Sequence, residues 1–479
     1  MAAAISLIGN LRISRQNLHK KPFQFKLILI SFFAFLVRLL YVIFVEKGDP
    51  LNGDAFYYHH ASQLLVDGLG FTEPYRYIFG GAQELLFLED PSYLAETTNQ
   101  NLPVGHIEPT AGHPPLWVFF LAFPVFIGLD SIFIQQIFSS LIGALGVFAI
   151  GWAAREIVGE KSGLIAAGVA SVYAFLWLND GLLMSETLVI PIVAILIGLS
   201  ARLYYKNSYY LLITFAVLGG LAVLTRAELI IAIPFFALPI LRNSSQTLKK
   251  RLVRCSLAGL IVVAIIMPWV IRNLVQFEEP VFLSNGSGIL LAQTNCDATY
   301  FGDKQGYWEY LCGLPQPVGE DGKPTDESVR DKEYRSRGID YAIEHKGRLF
   351  GNVIPKRMAR LWGFYSPIEQ LRADKLVEGR NFRLSLIGLF QYYALIPLSI
   401  FGLIRLKKKQ GSLLPLLTLP LISTLLAAAS MGTTRYRVSA EISLIIFAAF
   451  GIQFLFERIR SFNTKGNQDR ISFSEVEKC

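Results

Sequence analysis

Apolar runs separated by short polar linkers alternate along most of the chain and predict membrane helices. They lie at 27–45, 116–129, 132–153, 163–178, 188–203, 209–224, 229–241, 257–271, 384–404, 413–429 and 442–456. Runs near 20 residues are long enough to span a bilayer, whereas runs of about 10–14 read as buried, re-entrant or interfacial segments. If all eleven crossed, the clusters Arg155/Lys161, Arg202/Lys206, Arg242/Lys249/Lys250/Arg251/Arg254 and Arg405/Lys407/Lys408/Lys409 would face away from the basic N-terminus. That breaks the rule that short cytosolic linkers collect Lys and Arg. Demoting 116–129, which opens with "HPP" and contains Pro124, to a re-entrant or interfacial segment repairs every cluster at once. The run 229–241 is equally short, but there the charge rule requires a crossing. The result is an all-α polytopic membrane protein of about ten transmembrane helices with both termini inside.

Composition agrees. Of 479 residues, 52% are hydrophobic and 17% charged, with mean hydropathy +0.42, outside ordinary soluble usage. The net charge of +8 sits in clusters between apolar runs, so it marks topology and not a nucleic-acid surface. The N-terminal stretch with Arg12, Arg15, Lys20, Lys21 and Lys26 reads as an uncleaved cytosolic arm.

This topology divides the chain into a cytosolic arm (1–26), a transmembrane core (27–271), an outer-face loop or lid (272–383), C-terminal transmembrane helices (384–456) and a cytosolic tail (457–479). Within the core lies a first outer loop (46–131). The turns "NDGLLMSET" (179–187), "TRAE" (225–228) and "TTRYRVSAE" (433–441) also face out. Long loops outside a bundle carry function, so all candidate chemistry lies on one side.

In the first outer loop, Asp54 follows the turn signal "NG" and precedes "AFYYHHASQLLVDGLG", whose spacing suits an amphipathic surface helix. Asp54 is expected to cap it, a role compatible with catalysis. In "EPTAGHPPLW", His113 fits a general base, a hydrogen-bond donor to a phosphate, or an interfacial histidine without chemistry. His59 and His60 are weaker candidates. No tight metal-ligand spacing supports a structural metal site, and a hydrated divalent ion held by carboxylates from different loops stays open. No cofactor is expected otherwise.

Arginines at the outer face are more informative. Arg38 lies inside the first span, where a charge costs about 2.5–3.5 kcal/mol on insertion scales. Arg226, Arg272, Arg435 and Arg437 lie where spans meet the outside. Converging guanidinium groups suit a lipid-linked phosphate, because each can fork two hydrogen bonds onto it; snorkelling to headgroups or pairing with Glu186 or Glu441 is the plainer alternative. There is no Walker loop, dinucleotide fingerprint, G-x-S-x-G elbow or H-E-x-x-H motif. A reaction on the outer face needs a membrane-borne activated donor, and a polyprenyl-phosphate sugar supplies one whose leaving group lets a single carboxylate base suffice.

The motifs "GDAFYYHHASQLLVDGLGF", "EPTAGHPPLW", "AAREIVGEKSGLIAAGVASVY", "LNDGLLMSETL", "GGLAVLTRAELIIAIP", "PWVIRNLVQFEEPVFLSNGSG", "NCDATYFGDKQGYW" and "TTRYRVSAEISLIIFAAFGI" run in order from about Arg38 to Ile452. Together they resemble the bacterial GT-C membrane glycosyltransferases, similar to protein O-mannosyltransferases and aminoarabinose transferases. The resemblance implies a GT-C-like bundle in a bacterial cytoplasmic membrane with the active site outside. It also implies Asp54 as catalytic base with inversion at the anomeric carbon, donor phosphate contacts among Arg272, Arg435, Arg437, Arg226 and Arg38, and a lipid, glycan or protein acceptor. One departure stands out: family members often have a second acid directly after the aspartate, and this chain has Ala55. Asp49, Glu108 and Glu186 are then the candidate partners. Cys296 and Cys312 are candidates for a disulfide in the lid. A flippase of lipid-linked sugars, or a polymerase or ligase using pyrophosphate-linked glycans, is the alternative; the gathering of charge at one surface and the lack of a visible repeat favour the enzyme.

Overall fold

The computed structural model describes residues 21–80, 102–243, 245–319, 325–406 and 413–476. The basic residues Arg12, Arg15 and Lys20 of the N-terminal arm, Lys407–Lys409 and Cys479 lie outside the described residues. Among the described residues the chain is helical with no β-strand. In order, the elements that matter here begin with α1 (Lys21–Tyr41), α2 (Gly53–Val66), α3 (Pro74–Phe79), α4 (Leu116–Phe126), α5 (Ile132–Val158), α6 (Glu160–Val172) and α7 (Ala174–Gly181). They continue through α8 (Glu186–Tyr205), α9 (Tyr209–Thr225), α10 (Leu229–Arg242), α11 (Leu248–Gln276), α12 (Ser287–Thr294) and α13 (Glu327–Glu344). The last are α14 (Ile354–Leu361), α15 (Pro367–Glu378), α16 (Phe382–Leu406), α17 (Leu414–Ala429) and α18 (Val438–Val476).

Six of these segments are long and apolar enough to cross a membrane: Pro22–Glu46, Ile132–Val158, Glu186–Tyr205, Leu248–Gln276, Phe382–Leu406 and Thr434–Arg460. The α6–α7 pair makes a seventh as one broken span, and α9, α10 and α17 are shorter apolar helices beside them. Together these helices make an all-α polytopic membrane bundle, with six or seven candidate spans and the shorter apolar helices among the described residues. α4, at 11 residues, is too short to span on its own.

Two local expectations change. The run at 163–178 is not one straight helix: α6 and α7 meet at a bend of 52°, where Tyr173 is extended. The Gln391 side chain takes up the freed backbone groups there, accepting from Ala174 N and donating to Val172 O. The expected outer turn at Asn179 is instead the end of α7, with Asn179 and Asp180 fully buried. Close helix contact makes that burial feasible. A Cβ on Gly143 of α5 would fall 2.0 Å from Asp180 Oδ2, so only glycine leaves room for the carboxylate. The α16–α18 crossing depends on Gly402 in the same way, since a Cβ there would meet Phe447 O at 1.9 Å.

At one end of the bundle the first loop and the lid pack together. Thr72 bridges Pro109 antiparallel, with Glu73 N donating to Glu108 O and Thr110 N to Phe71 O, both at 2.8 Å. This pairing carries the His113 segment back alongside α2. In the lid, α13 starts at Asp326, whose side chain accepts from Ser328 N and Val329 N, and a disulfide joins Cys296 to Cys312. The segment 352–365 is amphipathic in sequence, as suits a membrane interface, yet its arginines turn inward. Arg357 and Arg360 of α14 are 1% and 3% exposed, while Phe350 and Phe364 lie outside. Backbone carbonyls explain the inversion: Arg357 donates to Thr294 O and Ala428 O, and Arg360 to Gln305 O.

Candidate active site

Asp54 is not the cap of α2. Asn52 occupies that position and Asp54 lies in the first helical turn, which frees its carboxylate to face the bundle. Asp54 Oδ2 lies 2.6 Å from Arg435 Nη2, and Oδ1 lies 3.7 Å from His113 Nε2. His113 in turn meets the Tyr58 hydroxyl through Nδ1 at 3.2 Å and packs edge-on against Tyr57. Burial alone would raise the Asp54 carboxyl; the Arg435 guanidinium, with His113 and Arg226 behind it, more than offsets this and holds it well below the usual carboxylate range. Burial lowers the His113 imidazole, Asp54 and Glu186 pull it back, and Arg435 and Arg226 add to the fall.

Arg435 sits in a short 3-10 turn, Thr434–Arg437, at the head of α18. Its Nε donates to Glu186 Oε1 at 2.5 Å, and its Nη1 lies 3.9 Å from Glu378 Oε1. Arg226, at the end of α9, donates to the same Glu186 oxygen and, through Nε, to Glu228 Oε1 at 2.5 Å. Glu186, with a side chain 2% exposed, is therefore the shared anchor of two guanidinium groups from distant segments. Beneath them a narrow cleft runs between α8, α10, α17 and α18, with Val189, Leu229, Ala232, Leu419, Ile422 and Leu426 on its walls. A charged head over an apolar slot suits an amphiphile with an anionic group.

The other candidates separate. Arg38 is 1% exposed and pairs with Asp180 at 2.5 Å, and Thr187 donates to the same carboxylate. Arg437 is likewise paired inside the protein. Fully buried, it pairs with Glu441 at 2.5 Å, donates to Leu361 O and stacks over Tyr392. A phosphate would have to break either pair inside the protein, where the stranded carboxylate is costly. Arg272 binds carbonyls, donating to Thr110 O at 2.9 Å and Phe71 O at 3.3 Å, so it fastens the loop that presents His113.

Among the second acids, Glu108 is taken up by Arg76 at 2.6 Å and Arg330 at 2.5 Å, a buried clasp between the first loop and the lid. Asp49 is exposed just past the end of the first helix. Only Glu186 adjoins Asp54's cluster, as an arginine holder already engaged twice.

Glu378 and Arg380, missed in the sequence, close the cluster from the lid: Arg380 bridges Glu378 at 2.5 Å and Asn179 Oδ1 at 2.9 Å. Their sole signal is a charged pair just before the chain re-enters an apolar run. Glu327 was missed too; it accepts from Ala111 N at 3.3 Å, two residues before His113. Among the described residues no group of three His, Cys, Asp or Glu side chains is placed to hold a metal ion.

Residues 112–271 match the family model described as dolichyl-phosphate-mannose-protein mannosyltransferase. No curated protein matches the chain. Among solved structures, the archaeal oligosaccharyltransferase AglB from Archaeoglobus fulgidus, in complex with an inhibitory peptide and a dolichol-phosphate, is similar with a TM-score of 0.52 at 12% identity, over 94% of this chain and 52% of that one. Its apo form gives 0.51 at 12% identity, over 92% and 51%. ArnT from Cupriavidus metallidurans bound to undecaprenyl phosphate gives 0.37 at 12% identity, over 87% and 76%. The chain spans about half the length of the oligosaccharyltransferase structures it matches. The likeness carried by the ordered motifs extends to the architecture: the chain has the fold of the GT-C membrane glycosyltransferases.

Proposed function

We propose that the chain is a glycosyltransferase that moves a sugar from a polyprenyl phosphate to a hydroxyl of a lipid, glycan or protein acceptor at the outer face of a bacterial cytoplasmic membrane. One observation carries the reading: Arg226 and Arg435 meet on Glu186 at the head of an apolar cleft, with Asp54 against Arg435. The donor's prenyl chain lies along the cleft and its phosphate meets the two guanidinium groups. The dolichol-phosphate in the oligosaccharyltransferase complex is a lipid phosphate of this class.

In the transfer, the acceptor hydroxyl oxygen attacks the anomeric carbon while its proton passes to Asp54. The bond from that carbon to the phosphate oxygen breaks, and polyprenyl phosphate leaves with its new charge held by Arg226 and Arg435. One displacement inverts the anomeric centre. His113 supports the carboxylate as a neutral imidazole, and Arg272 and Glu186 position the parts.

The test incubates purified protein with a panel of polyprenyl-phosphate sugars and native membrane extract, reading products by mass spectrometry. Free polyprenyl phosphate and a glycosylated product are expected from wild type, with Asp54→Asn slower by about 10²–10⁴-fold. Normal turnover by Asp54→Asn removes the base assignment; binding without consumption of any donor removes the transferase.

A further inference from the structure

All three nitrogens of the Arg435 guanidinium face carboxylates, and each carboxylate comes from a different segment: Asp54 in α2, Glu186 in α8 and Glu378 in α15. These contacts are not equivalent. Glu186 is almost wholly buried and also holds Arg226, so breaking it strands charge. Glu378 is farther away and engaged by Arg380. Asp54 is the partner open to the site, with a side chain 28% exposed and His113 beside its second oxygen. An anion arriving at the cleft head therefore displaces the Asp54 contact most easily, because of the three carboxylates Asp54 is the most exposed to the site and keeps His113 beside it.

We infer that Arg435 masks the base in the resting protein and that the donor's phosphate unmasks it. Seated between Arg226 and Arg435, the phosphate draws Nη2 off Asp54, so the carboxylate is free for an acceptor hydroxyl only in the donor complex. The inference rests on the donor site proposed above. A carboxylate held by a guanidinium is a poor proton acceptor, and the exchange of one anion for another keeps Arg435 paired throughout. Asp54 and the phosphate thus compete for one guanidinium, and competition of this kind is reciprocal.

The consequence is open to test: removing the base should strengthen phosphate binding. The probe is undecaprenyl phosphate, titrated by intrinsic fluorescence into detergent-solubilised wild type, Asp54→Asn, Asp54→Ser, Arg435→Gln and the Asp54→Asn/Arg435→Gln double variant. Both Asp54 variants should bind at least about fivefold tighter than wild type, Arg435→Gln weaker, and the gain should vanish in the double variant. Equal or weaker binding by the Asp54 variants, or a gain that survives loss of Arg435, overturns the unmasking while leaving the donor site standing. Absence of binding to wild type overturns the donor site and the unmasking with it.

A measurement on wild type alone covers poor folding of the variants. Carbodiimide labelling of Asp54, read by peptide mass spectrometry, should rise when undecaprenyl phosphate is added, and unchanged or reduced labelling overturns the proposal.

Discussion

Arg435 and Asp54, 381 positions apart in sequence, meet at 2.6 Å where the last described membrane helix begins and the first outer helix starts. Glu186 fixes the other side of that guanidinium and ties it to Arg226. The pairing sets these two arginines apart from the other candidate arginines, which meet other partners.

Arg435→Lys keeps a positive charge but loses the fork that serves two carboxylates at once. Turnover should fall by up to about 10²–10³-fold, the scale of losing one oriented transition-state contact, with the folded yield close to wild type. Release of polyprenyl phosphate from the donor measures it. A loss of folding in place of a loss of turnover would make Arg435 structural.

Arg38→Ala and Arg437→Ala should behave oppositely. Each leaves a buried carboxylate, Asp180 or Glu441, without its partner, at a cost of about 3–5 kcal/mol. Thermal unfolding in detergent should show a clear drop. A variant that melts normally yet fails to bind undecaprenyl phosphate would return that arginine to the donor site.

Lid docking should depend on pH through Glu327. Burial pushes this carboxyl up to about 7, with Thr110 and Arg330 opposing and Glu73 and Glu108 adding. The folded value lies above the ordinary one, so the folded lid keeps a proton that the unfolded chain loses. That contribution is complete below the ordinary carboxylate range and is lost as pH rises through about 7. Glu327→Gln should therefore match wild type near pH 5 and melt higher at pH 8, with a residual slope from Glu73, also pushed to about 7. Identical melting at pH 8 would mean Glu327 is not buried against the His113 loop.

Breaking the Cys296–Cys312 disulfide should loosen the site as well as the lid. The loop it closes packs on the arginine turn, with Gly432 N donating to Gly306 O at 2.8 Å. A paired Cys296→Ser/Cys312→Ser variant should lose about 3 kcal/mol of stability and turn over more slowly. Hydrogen exchange should rise at 430–437; unchanged exchange there would separate the disulfide from Arg435.

Sequence alone determined the helical membrane class, because hydropathy and the placement of Lys and Arg are read locally by a bilayer, and it named Asp54 as a candidate. It also singled out Arg226, Arg435 and Glu186. It did not tell which acid each candidate arginine meets, since that depends on segments as far apart as residues 54 and 435. Only tertiary packing buried Arg38 on Asp180 beside Gly143, locked Arg437 to Glu441 and bound Glu108 to Arg76 and Arg330. Tertiary packing likewise decided that α14 turns its arginines inward, because the carbonyls that receive them belong to the lid and to α17. A charge is placed by the partner that compensates its burial, and that partner is a neighbour in space and not in sequence.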